Sequence, residues 1–332
     1  MTEQPEPVAI VGAGPTGIAC AVELGRRGIA AVCYDRGGIL DSLQRFPEEM
    51  RWFSTRDLLD IAGVPFTTPE AHPTRLETLA YYRGVAERFG VRVAAGIAIE
   101  RVTPRPGGGV DVEASGRAGP LRFGAPAGVL ATGFFHNPRR LEVPGAHLPH
   151  VHSRYVSGYP FHGCDAVVVG GRNSSAEAAL DLYRHGARVT IIHRGAALSD
   201  RVKYWIRPDL ENRIAAGAIR ALFGSRIVEI DPESVRVATP GAEVRLRADA
   251  VFPLIGYQPD FALFERCGIR LEGPLRVPSH DTESFESNVP NLYLAGAILG
   301  GAETGRIFIE NSRHHAAAVA EAIERRMKAV RV

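Results

Sequence analysis

The first apolar run, Val8–Val11, leads into a glycine-rich turn and then into Thr16–Arg27, where Ile18, Ala21 and Val22 recur at helical spacing before Gly28 stops the helix. Ala30–Tyr34 follows as a second short strand and ends at Asp35. The connection from Gly37 to Pro73 holds Phe46, Trp52, Phe53 and Phe66 but no sustained period, and loops of that length in compact domains usually carry function. Beyond it the pattern predicts a helix over Thr74–Phe89 and strands at 91–95 and 97–103. Alternation over 109–115 and 119–124 predicts a small antiparallel meander. This half closes on a buried strand, Gly128–Leu130, that runs into Ala131-Thr132-Gly133.

The same order then recurs. Ala166–Val169 predicts a strand, Gly170-Gly171 a turn, Ser174–His185 a helix stopped by Gly186, and Arg188–His193 a strand. A helical stretch over 202–216 and short strands at 219–224, 226–230, 234–238 and 243–247 lead to Ala250–Ile255 and Gly256-Tyr257. The tail adds a buried strand, Asn291–Ala295, then Gly296 and a helix over Glu310–Lys328. Two copies of one plan predict an α/β fold of two Rossmann-like, three-layer nucleotide-binding domains. The tail most economically completes the first, which makes the second an insertion into it. We therefore expect one domain from 1–158 with 286–332 and the other from 159–285.

Bulk properties narrow the partners. A chain of 332 residues is long enough for two buried cores. Its 39 basic and 37 acidic residues leave a net charge of +2 and no basic run, which argues against nucleic acid or a membrane surface as partner. The apolar start, Val8 to Leu24, is broken by glycines, a proline and Glu23, so it does not read as a membrane span, and it lacks the basic flank of a signal peptide. Cys20, Cys33, Cys164 and Cys267 are scattered, with neither disulfide-framework nor zinc spacing. We expect a cytoplasmic, metal-free protein that forms a homo-oligomer.

Gly12-Ala13-Gly14-Pro15-Thr16-Gly17 is a GxGxxG between a predicted strand and a predicted helix. The first glycine permits the tight turn, the second admits a diphosphate, and the third packs helix against strand. Asp35, 23 residues after Gly12, stands where an acid accepts from ribose hydroxyls. Gly170-Gly171-Arg172-Asn173-Ser174-Ser175 fills the same slot in the second copy, with Arg172 and Ser175 where glycines belong. Arg172 there either crowds a diphosphate or turns outward to pair with a phosphate. His193-Arg194 replaces the acid, and an arginine forks a 2′-phosphate that an acid would repel, so NADPH is favoured over NADH, with Lys203 adding charge. The competing reading is an ordinary solvated basic turn. Gly296-Ala297 opens a turn whose positive end suits the N1/O2 edge of a reduced flavin.

No CxxC dithiol is present, so a relay through paired protein thiols is excluded. Cys20 and Cys33 read as small buried hydrophobes, and Cys164 and Cys267 as the exposed thiols. His314-His315 are adjacent, so they point to different helix faces and do not make a ligand pair.

In this order the motifs resemble those of the two-dinucleotide-binding-domain flavoproteins of the thioredoxin reductase superfamily. The chain is more closely similar to the bacillithiol disulfide reductase family, over essentially its whole length. The resemblance rests on Gly12-Ala13-Gly14-Pro15, Phe53-Ser54, Ile61–Phe66, Tyr81-Tyr82-Arg83, Ala131-Thr132-Gly133, Val169–Ser175, Tyr204-Trp205-Ile206, Gly256-Tyr257 with Pro259-Asp260, and Phe308–Asn311. It implies FAD, NADPH as donor, and reduction of a low-molecular-weight thiol disulfide. FAD would be held by Gly12, Gly14, Pro15, Thr16, Gly17, Asp35, Arg36, Ser42, Phe53, Ser54, Ala131, Thr132, Gly133, Gly296, Ala297 and Ile309. NADPH would be held by Gly170, Gly171, Arg172, Asn173, Ser174, Ser175, His193, Arg194, Lys203 and Gly256. Two positions depart from the pattern: Thr16 stands where many members carry Cys, and Ala297 where the wider superfamily uses Asp. The catalytic residue is therefore left open.

Three other functions compete. A flavin monooxygenase would carry FxGxxxH between its domains, and Leu141–Tyr155 lacks it. A ferredoxin or flavodoxin reductase needs a basic docking face. A non-catalytic nucleotide-binding redox sensor draws support only from the degenerate second glycine motif.

Overall fold

The computed structural model describes residues 6–330. They divide into two compact units: 6–46, 50–137 and 258–330 form the first, and 47–49 with 138–257 form the second. The crossings thus fall at 137/138 and 257/258, not at the expected 158/159 and 285/286. Residues 138–158 pack with the second unit, where Arg139 N–H donates to Gly256 O (2.9 Å) and His152 N–H to Val251 O (2.8 Å). Residues 258–285 pack with the first, where Arg266 Nε donates to Glu100 O (2.8 Å) and Val102 N–H to Cys267 Sγ (3.3 Å).

The first unit opens with β1 (Val8–Val11), α1 (Pro15–Arg26), β2 (Ala31–Asp35), the short helices α2 (Asp41–Gln44) and α3 (Arg56–Leu59), α4 (Arg75–Arg88) and β3 (Arg92–Ala95). A meander of β4 (Ala98–Pro104), β5 (Val110–Gly116) and β6 (Gly119–Ala125) leads to β7 (Gly128–Leu130). The second unit supplies β8 (Asp165–Val169), α5 (Asn173–Arg184), β9 (Arg188–Ile192), α6 (Arg207–Ala215) and β10 (Arg220–Leu222). Its own meander, β11 (Arg226–Asp231), β12 (Ser234–Ala238) and β13 (Glu243–Arg247), precedes β14 (Ala250–Pro253). The chain returns to the first unit with α7 (Phe261–Arg266), the hairpin β15 (Leu271–Glu272) and β16 (Val277–Pro278), β17 (Leu292–Leu294), α8 (Ile309–Ser312) and α9 (His315–Val330).

The parallel sheets repeat one order: β17-β7-β1-β2-β3 in the first unit and β10-β9-β8-β14 in the second. The first sheet is covered on both faces. Gly17 of α1 packs toward Ile10, whereas Gly128, paired with Ala9, looks onto Val102 and Val110 of the meander. Ala9 and Ile10 point to opposite faces, so helix and meander do too.

Two helices differ from expectation. Only Arg207–Ala215 of the 202–216 stretch is helical, with Pro208 in its first turn, where the missing N–H costs no intrahelical bond. The tail helix breaks at Arg313-His314. There Ser312 Oγ donates back to Phe308 O (2.6 Å), a contact that bends helices, and Arg313 reaches away to Asp60 and to Asp57 O.

Candidate functional site

The first unit's turn joins β1 to α1 at the carboxyl end of the parallel sheet. Gly12 has φ +109°, and a Cβ there would lie 2.6 Å from Ala131 O. A Cβ on Gly17 would lie 2.0 Å from Gly12 O. The chain's own packing fixes both. Gly14 is different: among the described residues nothing lies within 4 Å of the place its Cβ would take. Helix α1 starts at this open point with Pro15 in its first turn, no side-chain cap and no acid in that turn. Its first N–H groups and positive dipole end are left for an anion, and a diphosphate fits. Asp35 is held by both oxygens, accepting from Ala13 N–H and Gly37 N–H (2.9 Å each). A carboxylate oxygen has lone pairs to spare for a ribose hydroxyl.

Other expected residues gather at this turn. Leu40 N–H donates to Ala13 O (3.0 Å), which ties the start of α2, and hence Ser42, to it. Ala131 lies against Gly12, and Thr132 and Gly133 continue from it. Gly296, with φ +83°, is so close to Thr16 that a Cβ would lie 2.8 Å from Thr16 Oγ1. Thr16 and Ile309 line one small pocket with Ala19, Ile61 and Ala316. Phe53 packs edge-on against Phe308 (5.4 Å). Arg36 is exposed and Ser54 buried. Of the aromatic loop, Phe46 meets Phe135 (4.0 Å), but Phe66 is buried and stacks on Tyr81 of α4 (4.2 Å), so it belongs to the core.

Sequence reasoning missed His315. Its buried Nδ1 accepts from Gly296 N–H (3.1 Å), so the ring is neutral and holds the start of the Gly296–Gly300 turn. Burial, then the neighbouring His314 and His280, pull its pKa down to about 4. Adjacent His314 is exposed, as the helix geometry required.

The second unit repeats the turn with its own contacts. A Cβ on Gly170 (φ +147°) would lie 2.6 Å from Leu254 O. Gly170 N–H donates to Ile192 O (3.0 Å), as Gly12 N–H does to Tyr34 O (2.8 Å). Ser175 is buried; its Oγ accepts from Arg172 N–H (3.0 Å) and donates to Arg172 O (2.8 Å). Arg172 itself is exposed, so its side chain leaves the packed turn. The His193 ring covers Gly171, where a Cβ would fall 2.4 Å from it. Burial and then Arg194 and Arg172 lower the His193 pKa, so the imidazole is neutral in a positive field. Asn173 Oδ1 accepts from Lys203 N–H (2.9 Å), which brings Lys203 to the helix start. Ser174 is exposed in the first turn of α5, and Gly256, with φ +100°, lies beyond β14.

Two turns of one geometry, one facing open space and the other with Arg172 and Arg194 in the field of its His193, agree with the comparisons. The pyridine nucleotide-disulphide oxidoreductase family matches residues 9–296. The chain belongs to that family. It is an oxidoreductase that works with FAD and a nicotinamide nucleotide. Bacilliredoxin reductase Bdr of Bacillus subtilis is 34% identical over 97% of this chain and 98% of that protein. The bacillithiol disulfide reductase of Bacillus cereus is 36% identical over 97% of this chain and all of that one, with a TM-score of 0.94. That of Staphylococcus aureus is 30% identical over 97% and 99%, with a TM-score of 0.92. No described helix is long and apolar enough to cross a membrane.

Cysteine chemistry at the first turn is closed. Cys20 and Cys33 are fully buried, and burial pushes the Cys20 thiol up to about 12 and Cys33 higher still. Cys267, expected to be exposed, is buried as well, with Sγ accepting from Val102 N–H. Cys164 is half-buried. In the second unit Glu49, Asp181 and His185 approach one another, but His185 Nδ1 lies 2.8 Å from Asp181 O and Asp181 accepts from Tyr155 and Gly158 N–H. That grouping reads as a structural network.

Two outcomes follow. Gly17→Ala loses about 3 kcal/mol in urea unfolding because backbone must move, while Gly14→Ala stays within about 1 kcal/mol. The lowered His315 pKa means the unfolded chain binds the proton first. Stability is full above pH 6.5, the ordinary histidine value, and falls as pH drops toward about 4. His315→Gln flattens that slope in unfolding measured at pH 4.5 to 7.

Proposed function

We propose that this flavoenzyme takes electrons from NADPH and reduces the disulfide of a low-molecular-weight thiol of the bacillithiol class. FAD is assigned to the first unit, at Gly12–Gly17, Asp35, Ala131–Gly133 and Gly296-Ala297, and NADPH to the second, at Gly170–Ser175, His193, Arg194 and Lys203. The second is then a Rossmann-type domain inserted into the first. FAD supplies a carrier that takes two electrons from a nicotinamide and releases them to an acceptor. The carrying observation is the pairing of an open Gly14 cradle with a second turn whose ribose position holds His193-Arg194 instead of an acid.

Each residue has a separate task in this reading. The α1 start and Gly14 receive the flavin diphosphate, and Asp35, fixed by two backbone N–H groups, receives the ribose. His315 holds Gly296 in place for the flavin's pyrimidine edge. Arg194 forks the 2′-phosphate, and Arg172 and Lys203 add charge around the diphosphate. The names of the relatives point to the acceptor: bacillithiol disulfide in two, and bacilliredoxin, a protein, in the third.

The purified protein is expected to absorb as a flavoprotein and to bleach on anaerobic addition of NADPH. Under NADPH, bacillithiol disulfide is turned over faster than glutathione disulfide or oxygen, with a bacilliredoxin mixed disulfide as a fourth arm. A colourless protein, or one that turns over oxygen alone, removes the proposal. Arg194→Ala raises the KM for NADPH by about tenfold or more and leaves that for NADH little changed. Equal loss toward both nucleotides would reject a 2′-phosphate contact.

A further inference from the structure

Tyr204 and Trp205 are the large aromatics that the second unit leaves most open beside its glycine turn: Tyr204 is 81% exposed and Trp205 48%. Their rings meet edge to face at 4.8 Å. The segment that carries them is fixed to the turn at two points. Ser199 N–H donates to Gly171 O (3.0 Å), and Lys203 N–H to Asn173 Oδ1 (2.9 Å). Lys203 Nζ lies 5.7 Å from the Trp205 ring centre. Exposed Arg172, Arg194 and Arg201 belong to the same turn and loop. Two aromatic faces and a set of cations, held by backbone bonds to a phosphate-type turn, suit a ligand with both a flat base and phosphates.

The sheet order says which base. In the order β10-β9-β8-β14 a dinucleotide crosses the carboxyl edge above β8, with its adenosine half toward β9. The segment 193–206 leaves directly from the end of β9, so it borders that half. We propose that Tyr204 and Trp205 form the stacking platform for the adenine of the nicotinamide nucleotide, with the 2′-phosphate on the arginines beside them. This rests on the assignment of NADPH to the second unit. It adds specificity residues that neither the glycine motif nor the basic pair contains.

The test uses the flavin-loaded protein and two half-ligands, with tryptophan emission as the readout. 2′,5′-ADP, which has the adenine and no nicotinamide, quenches the wild type, and the quench disappears in Trp205→Phe, where Trp52 remains. Oxidised nicotinamide mononucleotide, which has no adenine, leaves the Trp205 emission unchanged. Tyr204→Ala and Trp205→Ala raise the KM for NADPH by about tenfold with kcat at saturation held, and both melt like the wild type because the rings are exposed. An undiminished quench in Trp205→Phe, an unchanged KM in both alanine variants, or quenching by the mononucleotide instead would overturn the platform while NADPH still bleached the flavin. Failure of the underlying assignment looks different: neither 2′,5′-ADP nor NADPH would bind the wild type, and the platform would fall with it.

Discussion

Both halves of the chain are governed by the same close approach, a glycine turn pressed against the carbonyl that ends the neighbouring strand. The absent Cβ sits 2.6 Å from Ala131 O at Gly12 and 2.6 Å from Leu254 O at Gly170. No side chain fits either position, and φ values of +109° and +147° restrict both to glycine. With the turn held this low, the helix that follows must begin at the sheet's carboxyl edge. Its first N–H groups then have no partner within the helix, which is the condition for binding a phosphate. Ligand binding here follows from how strand and helix pack.

The two turns diverge in what is done with that condition. At Gly14 the site is left open, and the acid of β2 is anchored from below by Ala13 and Gly37 N–H. At Arg172 the turn is partly closed by Ser175 Oγ, which satisfies the Arg172 N–H, and the strand end carries a neutral imidazole in the field of Arg194 and Arg172. In the proposed assignment, one turn offers the helix N-terminus and a carboxylate to an unphosphorylated ribose, and the other offers fixed positive charge to a phosphorylated one. A shared geometry would then separate two nucleotides by electrostatics.

Much of this was legible in the residues. The strand–turn–helix repeat, both glycine motifs, the meanders and the buried Cys20 and Cys33 follow from period and composition, and the structure places them as expected. What escaped was long-range. The crossing points depend on Cys267 and Arg266 docking on β4, and those partners lie 165 and 166 residues apart in sequence. The break in the tail helix depends on Arg313 finding Asp60, again a tertiary contact. His315 looked like core because its role is to accept a backbone N–H from a strand end 19 residues away. Pro208 was the one local signal passed over: a proline suits a first helical turn, and the helix starts at Arg207.

The substitution at Thr16 then bears on how electrons leave. Thr16 lies in the first turn of α1, against Gly296, where a thiol would feel the positive end of the helix and ionise. A hydroxyl there does not. One turn further on, Cys20 cannot take over, because burial pushes its thiol well above the ordinary range and seals its side chain in the core. Cys33 is more strongly held, with Sγ on Gly17 O, and Cys267 sits under the meander. Among the described residues of the first unit there is thus no thiolate to open a disulfide covalently. A disulfide reduced at this unit must receive its electrons without a mixed disulfide to the protein at Thr16.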